Sequence, residues 1–333
     1  MPPIRSMTVK EYSKFSLAPM LDLTDRHFRY LCRKLSKKML LYTELVTTGA
    51  VIYGKGDYLL FNEDEHPVSL QLGGANPAEL AFCARKGEER GYDEINLNVG
   101  CPSDRVQNGS FGAVLMRKPD LVCDCVRAMK DAVSVPVTVK TRLGVDELDS
   151  YDYIHDFLEK LISAGVDGVT LHARKAFLSG MSPRDNRDKP PLNYERVYLL
   201  KNDFPDLHLT INGNITSLED SLMHLQHVDG VMMGREIYQN PYILADVDRL
   251  IFGYESNVKP LSRKECIRSC YPYIENYLQS GGQMKHISRH FLGMFNHCAN
   301  SRQYRQYISM NHYKQGAGLE VLENAMKFVE DDV

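Results

Sequence analysis

Cys101 is the residue of this chain best placed to act as a reagent, a thiol fixed between Gly100 and Pro102. It follows Ile95-Asn96-Leu97-Asn98-Val99, an alternating apolar run that reads as a β-strand ending at Gly100. In a parallel α/β protein, the loop past a strand's C-terminal end is where chemistry collects. The plainer reading is a small apolar filler, since free cysteines are often buried. Polar residues close other short apolar runs as well. Pro19-Met20 end one run, Gln71 precedes Gly73-Gly74, and Asn98 stands just ahead of Cys101. Lys140 sits in Val-Thr-Val-Lys-Thr-Arg, and His172 and Arg174 sit in Leu-His-Ala-Arg. Two further runs end in Asn212-Gly213-Asn214 and Gly234-Arg235. Taken singly, Lys140 reads equally as an internal ion-pair partner, Gln71 as a plug and His172 as a satisfied core histidine.

Groups scattered over more than 200 positions meet only if the strands that carry them lie side by side. Short β-branched runs at 16–20, 39–44, 68–72, 94–98, 137–141, 168–172, 207–211 and 230–233 predict eight strands. Amphipathic stretches such as 78–90, 119–132, 151–164 and 218–226 predict helices between them. Eight strands alternating with helices predict a (β/α)8 TIM barrel, an α/β fold. A doubly wound open sheet is the competitor, but no G-x-G-x-x-G follows the first strand. Past Asn240-Pro241 the pattern turns helical, at 262–280, 284–295, 301–310 and 319–329, with breaks at Gly281-Gly282 and Gly316–Gly318. The expected organisation is a catalytic barrel over 1–255 followed by a small all-helical domain over 256–333. Glycine turns after a barrel's last two strands bind phosphate through backbone N–H groups. Arg235 reinforces such a site by charge-assisted hydrogen bonds. A cofactor with its phosphate near Gly213 and Gly234, and its ring facing Lys140, Gln71 and His172, fits flavin mononucleotide (FMN).

The chain has 333 residues, 43% of them apolar and 25% charged, which suits a globular protein with a sizeable core. Its eight cysteines form no Cys-x-x-Cys, which favours reduced thiols in a cytoplasmic compartment and predicts no metal site. No apolar run approaches ~20 residues, so no membrane span is expected. Residues 1–14 lack the apolar core of a secretory signal, and a short organellar presequence stays open. The net charge of −3 hides an asymmetry. Between 257 and 319, Lys259, Arg263, Lys264, Arg268, Lys285, Arg289, Arg302, Arg305 and Lys314 face only Glu265 and Glu275. Tyr271, Tyr273, Tyr277, Phe291, Phe295, Tyr304 and Tyr307 are interleaved with them. That mixture suits a polyanionic partner such as a nucleic acid, or else a solvated helical surface.

The stretches Leu17-Ala18-Pro19-Met20, Asn96-Leu97-Asn98-Val99-Gly100-Cys101-Pro102-Ser103, Leu171-His172-Ala173-Arg174 and Arg289-His290 carry a family likeness. The chain resembles the tRNA-dihydrouridine synthases, most closely the A-type members that act at D-loop positions 20 and 20a. The likeness runs from about Phe15 to Lys314. It implies that Pro19, Met20, Leu21, Gln71, Lys140, His172, Asn212, Gly213, Asn214, Gly234 and Arg235 hold FMN. NADPH is then the electron donor and tRNA the substrate. Asn214 stands where the family commonly has a second glycine; a positive φ there would be tolerated best by Asn among non-glycine residues. The resemblance makes Cys101 the general acid, giving a proton to C5 of uracil while hydride from flavin N5 reaches C6. A thiol with a reference pKa of ~8.5 is still protonated at neutral pH and can do this. Asn98 and Arg174 then face the flavin or the target uridine, and Arg184, Arg187, Arg302 and Arg305 orient the tRNA. The uridine must be flipped out to reach the barrel, and the enzyme is expected to be a monomer. The rival readings are a small-molecule FMN oxidoreductase of the dihydroorotate or dihydropyrimidine dehydrogenase type, which has no need of a basic helical module, and a barrel that only binds RNA.

Overall fold

A computed structural model of the protein describes residues 9–103, 111–254 and 260–330. Its strands are β1 (Phe15–Leu17), β2 (Leu40–Tyr42), β3 (Val46–Thr47), β4 (Val68–Gly73), β5 (Glu94–Asn98), β6 (Val137–Arg142), β7 (Gly168–His172), β8 (Leu209–Asn212) and β9 (Gly230–Met233). All pair in parallel in the order β2-β1-β9-β8-β7-β6-β5-β4-β3, and β2 also pairs with β4, which closes the ring. The predicted (β/α)8 barrel is therefore the fold. The second stave, expected as one strand over 39–44, is broken into β2 and β3. At the break the Thr43 hydroxyl oxygen, not a carbonyl, accepts the Gln71 N–H at 3.0 Å, and a side chain replaces a rung of the ladder.

Alternation along each strand sorts residues into two populations. On β5, Ile95 and Leu97 belong to the large apolar cluster between sheet and helices, while Glu94, Asn96 and Asn98 occupy the opposite face. A separate small cluster of Tyr12, Ala18, Leu40, Tyr42 and Met232 fills the barrel with Val9. Helix starts follow local chemistry. Asn76 caps the helix Pro77–Arg90 ahead of a proline at its first turn, and Ser150 caps Tyr151–Ser163.

Beyond the barrel the chain is helical, as expected, but more finely divided. The helix predicted over 262–280 is two, Arg263–Ser269 and Tyr271–Gln279, because Pro272 removes a donor and can sit only in a first turn. The stretch 284–295 holds Met284–Ser288 and a 3-10 turn at Arg289–Phe291, and 319–329 holds Glu320–Ala325 with a 3-10 turn at Met326–Phe328. Residues 255–259, which include Lys259 and the expected domain boundary, lie outside the described residues.

These helices dock on the barrel helix Arg26–Leu35. Tyr273 stacks on Tyr30 with ring centres 4.0 Å apart, and its hydroxyl lies 2.8 Å from His27 Nδ1. Asp25 caps the barrel helix and also accepts from Arg289 Nη2 at 2.7 Å, with His290 Nε2 at 2.9 Å. One turn on, Arg29 and Glu65 form a buried ion pair at 2.6 Å. Removing one member of such a pair strands a charge in the core. Arg29→Met is expected to lower unfolding free energy by about 3–5 kcal/mol, read by urea denaturation.

Candidate active site

The strand register brings the expected site residues to one rim. Asn98 is opposite Lys140, Arg142 opposite His172, and His172 opposite Asn212, while Leu17, just before Ala18-Pro19-Met20, pairs with Met233 just before Gly234. Pro19, Met20, Gln71, Asn98, Cys101, Lys140, His172, Asn212, Gly213, Asn214, Gly234 and Arg235 thus share the C-terminal mouth of the barrel. Leu21 lies on its outer edge, 53% exposed.

The Cys101 loop is fixed from below and from the side. Asn98 Oδ1 accepts the N–H groups of Gly100 at 3.3 Å and Cys101 at 3.1 Å. Arg142 Nε donates to Gly100 O at 2.9 Å, and its Nη1 reaches the carbonyls of Lys175 and Asn186 in the loop after β7. A Cβ on Gly100 would lie 3.3 Å from the Thr141 backbone, so this close approach suits glycine. The half-buried Cys101 thiol is left 3.4 Å from the Ser103 hydroxyl.

Around the mouth, cations outnumber anions. Lys140 Nζ donates to Asn212 Oδ1 at 3.2 Å. Burial, with the Arg142 charge beside it, pushes Lys140 down to about 7. Burial and the Arg142, Lys140, Arg174 and Arg235 charges drive His172 well below the usual imidazole range, so the ring is neutral. His172 Nε2 and Arg174 Nε are buried without a partner, which is costly for polar atoms that no ligand meets. Gly213 has φ +128, and a Cβ there would meet His172 at 3.0 Å. Asn214 has φ +53, the left-handed conformation for which Asn is the best non-glycine residue. Arg235, expected to reinforce a phosphate site, is paired with Asp188 at 2.6 Å.

The expected RNA-facing residues divide between two places. Arg184 and Arg187 flank the loop after β7 and are exposed. Arg302 and Arg305 lie on the helix Ser301–Asn311, Arg302 exposed and Arg305 bonded to Asn296 Oδ1 at 3.3 Å. The basic excess read from 257–319 shrinks in three dimensions. Glu323 neutralises Arg268, and Asp25 neutralises Arg289. The interleaved aromatics are mostly packing groups: Phe291, Phe295 and Tyr304 are buried, and Tyr273 is spent on Tyr30. Three residues that hold the site are not recognisable as site residues from sequence: Glu94, Asn96 and Arg142. Their signal is present as polar side chains at every second position of β5 and β6.

Strand-end residues converging on a barrel mouth, a pinned loop cysteine and an appended helical module define a class, and the family comparison agrees. A model of the Dihydrouridine synthase family matches residues 16–330, and the chain belongs to that family. Among its relatives are proteins named tRNA-dihydrouridine(20/20a) synthase. That of Escherichia coli K12 is 59% identical, covering 96% of this chain and 92% of the relative. That of Shewanella oneidensis is 56% identical, covering 96% and 95%. That of Vibrio cholerae is 57% identical, covering 94% and 95%. Among the described residues no helix is long and apolar enough to cross a membrane.

The depressed Lys140 has a measurable consequence. Above about pH 7 the folded protein has released this proton, while the unfolded chain keeps it up to the ordinary lysine value of 10.5. The unfolded state therefore binds more protons across that window, and this group's contribution makes stability rise with pH. Lys140→Met should be more stable than the cofactor-free wild type below about pH 7, with the gap narrowing toward about pH 9 in urea denaturation.

Proposed function

We propose that the protein reduces uridines 20 and 20a of tRNA to 5,6-dihydrouridine, using FMN and NADPH. The observation that carries this reading is Cys101 on a loop whose backbone is held by Asn98 and Arg142 at the mouth of a barrel whose other strand ends are polar or basic. The end-to-end identity with relatives named for this reaction supports it. The residues present suit a flavin phosphate ester. His172 Nε2 and Arg174 Nε are buried donors or acceptors in want of a partner. The turn at Gly213 and Asn214 has positive φ at both residues and packs closely against His172. Pro19, Met20, Leu21, Gln71, Lys140, Asn212, Gly234 and Arg235 would complete the binding set. Bound there, flavin supplies hydride to C6 of the pyrimidine, with NADPH as the source of the electrons.

The chain's own part is to bind, orient and protonate. Cys101 gives its proton to C5: the S–H bond breaks, the C5–H bond forms, and the thiol is recharged from solvent. Asn98 holds the backbone of the loop that carries that thiol. A cationic Lys140, or its hydrogen bond when neutral, stabilises negative charge that develops beside it. Arg184 and Arg187 at the mouth, and Arg302 and Arg305 on the helical module over 256–333, would grip tRNA phosphates while the target nucleotide is flipped out. A monomer in the cytoplasm suits this role.

Cys101→Ala is expected to abolish dihydrouridine formation on tRNA transcripts, measured by mass spectrometry, with flavin absorbance and tRNA affinity near wild type. Turnover equal to wild type would remove the acid assignment. Replacing Arg302 and Arg305 together with Ala should weaken tRNA binding and reduce the log–log salt slope by about 0.7–0.9 for each phosphate no longer neutralised. Reduction of bound flavin by NADPH should be unchanged in that variant. Free uracil and orotate are expected to be poor substrates beside tRNA.

A further inference from the structure

The barrel interior contains a buried acid that the proposed chemistry does not use. Glu94 is fully buried on β5, and three hydroxyls converge on its Oε1: Tyr42 at 2.7 Å, Thr138 at 2.8 Å and Ser69 at 2.9 Å. The Tyr12 hydroxyl approaches Oε2 at 3.5 Å. From Oε1 a single file of hydrogen bonds climbs to the mouth. Thr138 donates to Glu94 and accepts from Asn96 Nδ2 at 2.8 Å. Asn96 Oδ1 accepts from Gln71 Nε2 at 2.8 Å, and Gln71 Oε1 accepts from Asn98 Nδ2 at 2.9 Å. Asn98 Oδ1 is thereby turned toward the N–H groups of Gly100 and Cys101.

Every bond in this file points the same way. Oε1, already met by three hydroxyls, acts as acceptor, so the Thr138 hydrogen is committed downward and its lone pair faces Asn96. Each amide above must then present its NH2 below and its carbonyl above. A reversed file would put the Asn98 NH2 against two backbone N–H groups, a contact of donors with donors. Resting on the functional reading above, we infer that Glu94 is a positioning residue for Cys101, acting through Thr138, Asn96, Gln71 and Asn98. Ser69 touches the same carboxyl oxygen but passes nothing upward, which separates relay from mere packing.

The experiment uses the full-length protein and two readouts. Iodoacetamide alkylation of Cys101 is followed by peptide mass spectrometry, with half-buried Cys298 as the internal reference. Dihydrouridine formation gives kcat and the KM for tRNA. Thr138→Val cuts the file. It should expose the loop thiol and raise the Cys101 alkylation rate by about fivefold or more, with kcat down about tenfold and KM within about twofold. Thr138→Ser keeps the hydroxyl and should restore both. Ser69→Ala should leave both within about twofold of wild type. Glu94→Gln should raise Cys101 alkylation about threefold alone, and add nothing further on Thr138→Val, as expected for two members of one file. Cys298 should react at the wild-type rate throughout. If Thr138→Val does not fold, Glu94→Gln beside Ser69→Ala decides the matter alone. Unchanged Cys101 alkylation in Glu94→Gln, or an equal change in Ser69→Ala, overturns the proposal. A wild-type protein that forms no dihydrouridine would instead overturn the functional reading, since the alkylation comparison does not depend on turnover.

Discussion

Polar side chains buried inside a closed barrel must each find a hydrogen-bond partner. That constraint governs this molecule. Tyr42, Ser69, Thr138, Asn96, Gln71 and Asn98 form one connected set anchored on Glu94. Leaving any buried amide unpaired costs about 1–3 kcal/mol, so the set resists local rearrangement. Its top end is the loop that carries Cys101. The rigidity needed at the mouth is thus a consequence of hydrogen-bond satisfaction at the floor.

At the mouth two buried polar atoms stand apart from this pairing, and the contrast is informative. His172 Nε2 and Arg174 Nε have no partner, and Lys140 and His172 are pushed toward their neutral forms by burial among neighbouring cations. The neighbouring Arg142, Arg174 and Arg235 keep the mouth basic, which suits a ligand bearing acceptors and negative charge. Interior and mouth therefore follow opposite rules. One is closed so that the other can remain open to a ligand.

The helical module is joined to the barrel through the same economy. Asp25 caps the helix Arg26–Leu35 and receives Arg289, with His290 alongside, while Tyr273 stacks on Tyr30. These contacts spend several basic and aromatic residues that the linear sequence offers as a nucleic-acid surface. The cations left exposed are fewer than that linear run suggests, Arg302 among them.

Periodicity by itself determined the eight-stave barrel, the helical C-terminal stretch and the strand ends that gather at the barrel mouth, because strand and helix periods are local properties of the chain. It also determined the Cys101 loop and the turn at Asn214, where residue type alone announces the backbone required. Local signals failed where the deciding partner is distant. The break after β2 depends on Thr43 meeting Gln71, 28 positions away. The neutralisation of Arg268 and Arg289 depends on Glu323 and Asp25, one of them 264 positions away. The Glu94 file is the clearest case. Its polar alternation is written in β5, yet which atoms meet, and in which direction the hydrogens run, is set only when β4, β5 and β6 lie in register.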